Sequence, residues 1–245
     1  AHVYCEIKPF DAGESAIRDF SPKGVILSGG PESVTLKSGY RVPACVFELG
    51  VPVLGICYGM QALAIQLDGQ VETSREREFG YVRVRAQGHS KLLSGIQDDT
   101  NDQGHGLLDV WMSHGDRVVE LPPGFEIIAS SHNAPMAAIA NFDRQHFGLQ
   151  FHPEVTHTPQ GHKVLQRFLM GFCGCRGIWT ADNVIKALVT AIRKDVGPDK
   201  VILGLSGGVD SAVVAALLNQ AVGDQLTCIF VDNGLLRLDE GDQVI

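Results

Sequence analysis

The chain has 245 residues, of which 44% are hydrophobic, and it carries a formal net charge of -8. A chain of this length and composition buries a sizeable core and forms one large domain or two smaller ones. The negative charge, with no Lys/Arg-rich block, argues against nucleic acid or an anionic membrane as a main partner, and no apolar run is long enough to span a bilayer.

Six cysteines are scattered along the chain without the dense spacing of a small secreted scaffold, so we expect a reducing, cytoplasmic location. The one close pair, Cys173 and Cys175, lacks a second Cys/His pair at zinc-ligand spacing, and we expect no metal there. The chain does not begin with Met, and its last residues have the pattern of a helix that is just starting. We therefore expect a fragment of a longer protein.

Predicted strands and helices alternate in the first part of the chain. The sequence predicts a strand at residues 2–7, a helix ending at Phe20, a buried strand at 24–28, a glycine loop at 29–33 and a short helix at 44–49. Strands that end in glycine loops and lead into helices are typical of a doubly wound, mostly parallel α/β sheet. Functional sites in such a sheet gather at the carboxyl ends of the strands.

One cysteine, Cys57, lies between Gly55 and Gly59, after an apolar run at 51–54 and before an apolar stretch at 62–67. This pattern predicts a strand, a sharp turn and a helix, because glycines tolerate strained dihedrals and let neighbouring backbone approach closely. It matches the nucleophile elbow of Gly-x-Ser-x-Gly hydrolases with sulfur in place of oxygen. A thiol at a helix N-terminus is favoured as thiolate and lies near N–H groups that stabilise an oxyanion.

A structural role for Cys57 competes with this interpretation. Most free cysteines inside proteins are small core hydrophobes. The glycine frame alone leaves the two interpretations about equally supported. The choice therefore depends on whether the rest of the chain supplies a base.

The middle of the chain is predicted to be β-rich and partly antiparallel. Alternating or apolar segments predict strands at 80–85, 109–112, 126–130 and 136–140.

A further apolar strand at 146–151 leads into His152-Pro153-Glu154. Residues two apart in an extended segment project to the same side, so the Glu154 carboxylate is placed to orient the His152 imidazole. A lone His beside a Glu is more often a surface pair. Here, however, Cys57 and His152 both follow apolar strands at what we expect to be one edge of one sheet, which favours a catalytic pair.

Two segments together resemble a known family. GICYGMQ at 55–61 and FHPE at 151–154 are similar to the paired motifs of class I, triad-type glutamine amidotransferases. The resemblance implies that Cys57 is the nucleophile on the glutamine carboxamide, that His152 is the base and acid, and that Glu154 orients the imidazole.

The resemblance covers roughly residues 1–176 and implies two further roles. The backbone N–H groups of Gly30 and Tyr58 would form the oxyanion hole, and Gln61 would contact glutamine. Domains of this family open with a strand, a glycine-containing turn and a helix that this chain lacks.

The segment WMSHGD at 111–116 is also family-like. One interpretation is that it lines the glutamine pocket or faces a partner domain. The other is a simple turn with His114 and Asp116 exposed, and we assign the segment no catalytic role. Cys45 and His157 are likewise interpreted as structural.

A second domain is predicted at 177–245, after a junction at 174–179. Its predicted elements are a helix at 183–195 capped by Thr180 or Asp182, a buried strand at 200–205, a glycine-rich loop at 206–211 and a helix at 212–222.

The loop consists of Ser206, Gly207, Gly208, Val209, Asp210 and Ser211. A strand, a glycine-rich loop and a helix together form an anion cradle, for which phosphate is the natural ligand. It is not a Walker loop, because no Lys follows a Gly-x-x-x-x-Gly spacing. For a bare Ser-Gly-Gly, a tight turn with an N-capping Ser is an equally good interpretation.

The full six-residue loop resembles the pyrophosphate-binding loop of ATP pyrophosphatases, which split ATP between its α and β phosphates to adenylate a substrate. The resemblance implies that the loop binds the departing pyrophosphate. Asp210 would be a ligand of Mg²⁺, which favours carboxylate and phosphate oxygens. Val231, at the end of a predicted strand at 226–232, would lie near the adenine.

The order of the two modules, with VDNGLLR at 231–237, resembles the glutamine-hydrolysing GMP synthetase family. That resemblance implies glutamine, ATP with Mg²⁺ and xanthosine monophosphate as substrates, no tightly bound cofactor, and a homodimer. Two alternatives remain open: a free-standing cysteine hydrolase, and a non-catalytic glutamine-binding regulatory module.

Overall fold

The computed structural model describes residues 1–36, 39–87, 90–231 and 241. The chain divides into two compact units, one formed by Ala1 with Val3–Arg176 and the other by His2 with Gly177–Ile245. Among the described residues, the helices are all too short or too polar to cross a membrane.

In its described residues, the first unit contains one sheet and three α-helices. In chain order its elements are α1 (Glu14–Phe20), β1 (Val25–Leu27), a 3-10 helix (Ala44–Glu48), β2 (Val53–Ile56), α2 (Tyr58–Gln66), β3 (Gln70–Ala86), β4 (Asp99–Thr100), β5 (Gly106–Glu120), β6 (Glu126–Ser130), β7 (Ala138–Asn141), β8 (His146–Leu149), α3 (Gly161–Arg167) and a π-helical turn (Phe168–Phe172).

The sheet has the strand order β1-β2-β8-β7-β6-β3-β5-β4. Strand β2 pairs in parallel with both β1 and β8, whereas the pairs from β8 through β7, β6, β3 and β5 to β4 are antiparallel. The α/β class is therefore confirmed, but the sheet is mixed and its parallel part is confined to three strands. Short connections such as the one from β7 to β8 permit antiparallel pairing, whereas parallel neighbours need a long crossover.

The parallel strands lie in the core. All four residues of β2 and all four of β8 are buried, as expected for strands covered on both faces. The largest apolar cluster packs Leu54, Phe147, Phe151 and Phe168 together. Because these strands are parallel and buried, the loops after β1, β2 and β8 leave the sheet at the same, well-packed edge.

Strands β3 and β5 are longer than predicted and form an antiparallel pair with a register shift between Thr73 and Glu78. Burial alternates along β5, so His114 and Asp116 both face inward and are only 5% exposed. Of the two interpretations of this segment, the exposed turn is wrong, because the segment is a strand with one buried face.

The strand predicted at residues 2–7 is also wrong, since these residues form no regular element. Its apolar side chains bury little: Ile7 is 98% exposed and Tyr4 is 50% exposed. A weak alternation without a buried face does not specify a strand.

The second unit consists of α4 (Ala181–Val196), β9 (Val201–Leu205), α5 (Val209–Val222), a 3-10 turn (Gly223–Gln225) and β10 (Leu226–Phe230). Strands β9 and β10 pair in parallel. The predicted helices and strands are present, and α5 begins three residues earlier than the predicted 212. Of the segment 231–237, only Val231 lies within the described residues.

Candidate active site

Cys57 occupies the sharp turn between β2 and α2. Its φ of 50° and ψ of -107° lie in a region that residues with a side chain rarely adopt. Hydrogen bonds hold the turn, because Cys57 N–H donates to Leu149 O at 2.7 Å and Gln61 N–H donates to Cys57 O at 3.2 Å. The conformation presents the thiol at the N-terminus of α2, as a nucleophile elbow requires.

The two glycines of the elbow are required by close packing. A Cβ on Gly59 would lie 2.1 Å from Leu27 O, and a Cβ on Gly55 would lie 2.6 Å from Gly59 O. The positive φ belongs to Cys57 itself. The spacing of the motif therefore lets α2 sit directly against the end of β1.

His152 and Glu154 meet Cys57 at the same sheet edge. His152 Nδ1 lies 2.7 Å from Glu154 Oε1. A Cβ on Gly29, in the loop after β1, would contact both His152 Cε1 at 3.1 Å and Cys57 Cβ at 3.7 Å. The nucleophile, the imidazole and the carboxylate predicted from sequence are thus brought together.

The imidazole is strongly biased towards its charged form. Interaction with the Cys57 thiol, then with the Glu154 carboxylate, raises the pKa of His152 to about 10 although partial burial opposes the shift. Among the described residues, the buried Nε2 atom of His152 has no partner that meets full hydrogen-bond geometry. Burial acts to raise the pKa of Glu154, but the hydrogen bond and charge of His152, with a backbone contact, lower it overall.

The predicted oxyanion-hole residues are neighbours. A Cβ on Gly30 would lie 3.6 Å from the Tyr58 ring, and Tyr58 is the first residue of α2. The first four N–H groups of a helix have no acceptor within the helix. The Tyr58 N–H is therefore placed beside the thiol at the positive end of α2.

A buried polar network behind Cys57 was not predicted from sequence. Gln61 Nε2 donates to Asp116 O at 2.8 Å and to Gln150 Oε1 at 3.4 Å, and Gln150 Nε2 donates to Cys57 Sγ at 3.8 Å. Cys57 Sγ also donates to Ser113 O at 3.5 Å. The Gln61 amide is thus bonded within the protein, and its contact with glutamine stays a prediction.

His114 extends this network towards a cavity. Its Nδ1 lies 3.1 Å from Asp116 O and its Nε2 lies 3.2 Å from Glu78 Oε2. Burial lowers the pKa of His114, and the Glu78 carboxylate opposes that effect only in part. The cavity, of about 340 Å³, is polar and is lined by Glu72, Thr73, Ser74, Glu78, His114, Arg117, His132 and Asn133.

The loop of the second unit is held by its own hydroxyl groups. Ser206 Oγ and Ser211 Oγ lie 3.1 Å apart, and Gly208 N–H donates to Ser206 Oγ at 3.3 Å. Gly207 has a φ of 76°, which a residue with a side chain adopts only with strain. Asp210, in the first turn of α5, is exposed, and Val231 is 67% exposed.

No cluster of three or more potential metal ligands is preformed within the described residues. The exposed carboxylate of Asp210 fits an ion that takes its other ligands from phosphate and water, which is how Mg²⁺ is usually held.

Family comparisons assign the two parts of the chain separately. Residues 1–172 match the family model described as glutamine amidotransferase class-I, and residues 182–232 match the model described as NAD synthase. The first match covers well over half of the chain.

Individual relatives agree with this assignment. The chain is 64% identical over its full length to a GMP synthase [glutamine-hydrolyzing] of Alkalilimnicola ehrlichii and 61% identical over 99% of its length to that of Methylococcus capsulatus. It spans 47% and 46% of these two relatives, or about half their length.

Among solved structures, a Thermoplasma acidophilum protein assigned to GMP synthase is 26% identical, with a TM-score of 0.51 over 62% of this chain and 73% of that one. The chain thus belongs to the class I glutamine amidotransferase family.

Proposed function

We propose that this chain hydrolyses glutamine at Cys57 and is part of a protein that uses the released ammonia to make GMP. The observation that carries the proposal is the meeting of Cys57, in its strained elbow, with the hydrogen-bonded pair of His152 and Glu154. A thiol, an imidazole and an orienting carboxylate form a nucleophile, base and orienter set.

In the first half of the reaction, the Cys57 thiolate attacks the carboxamide carbon of glutamine. The C–S bond forms, and the negative charge that develops on the carboxamide oxygen faces the backbone N–H groups of Gly30 and Tyr58. The His152 imidazolium then gives its proton to the leaving nitrogen, the C–N bond breaks, and ammonia departs from a thioester.

In the second half, water attacks the thioester. Neutral His152 takes a proton from that water, the C–O bond forms and the C–S bond breaks, so that glutamate leaves and the thiolate and imidazolium are restored. The Glu154 carboxylate stabilises the imidazolium in both halves and holds the ring in one orientation.

For residues 177–245 we propose an ATP-pyrophosphatase function. The loop 206–211 would bind the pyrophosphate of ATP at the start of α5, where loop and helix N–H groups converge. Asp210 would hold Mg²⁺, which offsets charge on the phosphates. In the whole protein ATP would adenylate xanthosine monophosphate, and ammonia would displace AMP to give GMP.

The remaining expectations belong to the same proposal. We assign residues 1–176 to the amidotransferase domain and the rest to the start of a synthetase domain in a homodimer. A reducing, cytoplasmic location agrees with six cysteines that are all free and with a nucleophilic thiol.

The experiment compares two nitrogen donors in the intact protein. Cys57→Ala is expected to abolish GMP synthesis from glutamine while synthesis from added ammonium salt is retained. Cys5→Ala, which alters an exposed cysteine, serves as the control and is expected to retain both. The proposal fails if Cys57→Ala retains glutamine-dependent synthesis, or loses both activities while its unfolding curve is unchanged.

A further inference from the structure

We propose that Gln150 is a positioning residue that directs an N–H donor at the sulfur of Cys57, and that Gln61 fixes the direction of that donor. This inference rests on the proposed role of Cys57 as the nucleophile. It concerns two side chains that the triad mechanism does not use.

Both side chains are inside the protein. Gln61 is 3% exposed and Gln150 is 1% exposed. A buried amide without partners costs free energy, so two adjacent buried glutamines are expected to pair with each other and with the backbone. Gln61 lies in α2 and Gln150 directly follows β8, so the pair connects the two elements that carry the nucleophile and the base.

The direction of each amide follows from the acceptor at the end of the network. Asp116 O is a backbone carbonyl, which only accepts, so the Gln61 atom 2.8 Å from it must be the NH₂ group. The same NH₂ group faces Gln150 at 3.4 Å, so the facing Gln150 atom must be its carbonyl oxygen. The NH₂ group of Gln150 is then the one that faces Cys57 Sγ, at 3.8 Å.

The two polar contacts of the sulfur favour different protonation states. The thiol donates to Ser113 O at 3.5 Å, and that contact is lost when the proton leaves. The contact from Gln150 Nε2 grows stronger on a thiolate, because a charged acceptor roughly doubles the strength of a hydrogen bond. Gln150 therefore stabilises the nucleophilic form while holding the sulfur at a fixed place beside His152.

The test follows thiol reactivity as a function of pH in the intact protein. Variants Gln150→Met, Gln150→Glu and Gln61→Met are alkylated with iodoacetamide, and modification of Cys57 is measured by peptide mass spectrometry. Gln160→Met is the matched control, because its amide bonds Asp98 outside the network. The buried Cys45 and Cys173 report folding, since they stay protected only while the unit is intact.

Gln150→Met is expected to move the pH profile of Cys57 alkylation to higher pH and to lower the rate at pH 7 about tenfold, the usual effect of losing one hydrogen bond to a charged group. Turnover of glutamine should fall by a similar factor while its KM changes less than about threefold. Gln150→Glu, which places a carboxylate against the sulfur, should have a larger effect. Gln61→Met only frees the Gln150 amide to rotate, so it should have a smaller effect than Gln150→Met.

An unchanged pH profile in Gln150→Met, with Cys45 and Cys173 still protected, overturns the inference. If Cys57→Ala abolishes glutamine hydrolysis in the same preparation, the proposed function stands without it. If Cys57→Ala retains glutamine hydrolysis, the proposed function itself fails.

Discussion

The glycine-framed turn around Cys57 and the glycine-rich loop at 206–211 both follow strands, and they are built differently. In the elbow around Cys57, a side chain on Gly59 would lie 2.1 Å from Leu27 O. In the loop 206–211, a side chain on Gly208 would meet only Ser206 Oγ, at 3.4 Å. The elbow is enclosed by protein, whereas the loop is open and secured by its own serines.

The difference shows what fixes the conformation of each turn. Tight packing holds Cys57 in a strained conformation, so its geometry depends on the folded core. The loop offers N–H groups and hydroxyls to solvent, where the proposed phosphate ligand would bind them. Substitutions in the elbow should therefore act on both stability and catalysis, and those in the loop mainly on ligand binding.

The largest expected effect separates these two turns directly. Gly59→Ala should destabilise the first unit by roughly 3 kcal/mol or more, because backbone must move to admit the methyl group. Gly208→Ala is the matched change, and with a φ of -85° and open space it should alter stability by less than about 0.5 kcal/mol while weakening ATP binding. Thermal unfolding of both variants measures the contrast, and similar unfolding temperatures would contradict it.

The next largest effect concerns the base. Glu154→Gln should lower glutamine turnover roughly 100-fold or more, because the imidazolium loses its orienting charge. The pKa of His152, about 10 in the wild type, should fall but stay above its ordinary value of about 6.5, because the larger contribution, from the Cys57 thiol, remains. NMR titration of the His152 ring follows this change, and Glu126→Gln at the start of β6 is the control. A His152 pKa that does not move would refute the role assigned to Glu154.

The same shift predicts a pH dependence of stability. Because the folded-state pKa of His152 is raised to about 10, the native state binds more protons than the unfolded state between about pH 6.5 and 10. The contribution of His152 to the free energy of unfolding is complete below about pH 6.5 and is lost as pH rises through 10. Over this range the wild type should lose more stability than Glu154→Gln, and parallel losses in denaturant titrations would be the contrary result.

In the open loop at 206–211, removing a charge should affect the ATP-dependent reaction and leave glutamine hydrolysis unchanged. Asp210→Asn is expected to reduce ATP-dependent pyrophosphate release at least about tenfold through loss of a Mg²⁺ ligand. Basal glutamine hydrolysis without nucleotides should be unchanged. Asp224→Asn, in the 3-10 turn after α5, is the control, and equal effects of both variants would argue against a specific role for Asp210.

The smallest effect tests the start of α4. The Thr180 side chain accepts from Asn183 N–H, so Thr180→Ala should lower helix stability by about 1 kcal/mol. Thr190→Ala on the same helix removes only a bond back to Lys186 O and should not destabilise it. Hydrogen exchange of the α4 amides distinguishes the two, and equal exchange rates would contradict the assignment of the cap.

Local patterns were enough to predict much of the site. The glycines around Cys57 predict an elbow because close packing demands them, and the spacing of His152 and Glu154 predicts a pair because alternate residues share a side. The loop 206–211 likewise follows from a strand, glycines and a helix in succession. These features depend on a few neighbouring residues.

Features set by distant partners were not predictable in the same way. The segment containing His114 and Asp116 has the composition of a turn, but it is a strand because β3 pairs with it over most of its length. Gln150 carries no local signal that its amide faces Cys57, because that contact depends on Gln61, 89 positions away. The extent of antiparallel pairing was missed for the same reason.

The most direct test of the central claim is covalent capture at Cys57. The intact protein is treated with a chloroketone analogue of glutamine or with a simple ester probe, and the modified peptide is identified by mass spectrometry. The account predicts labelling of Cys57 by the glutamine analogue alone, protection by glutamine, and loss of labelling in His152→Ala. Labelling by the ester probe, or labelling of another cysteine that glutamine does not prevent, would contradict it.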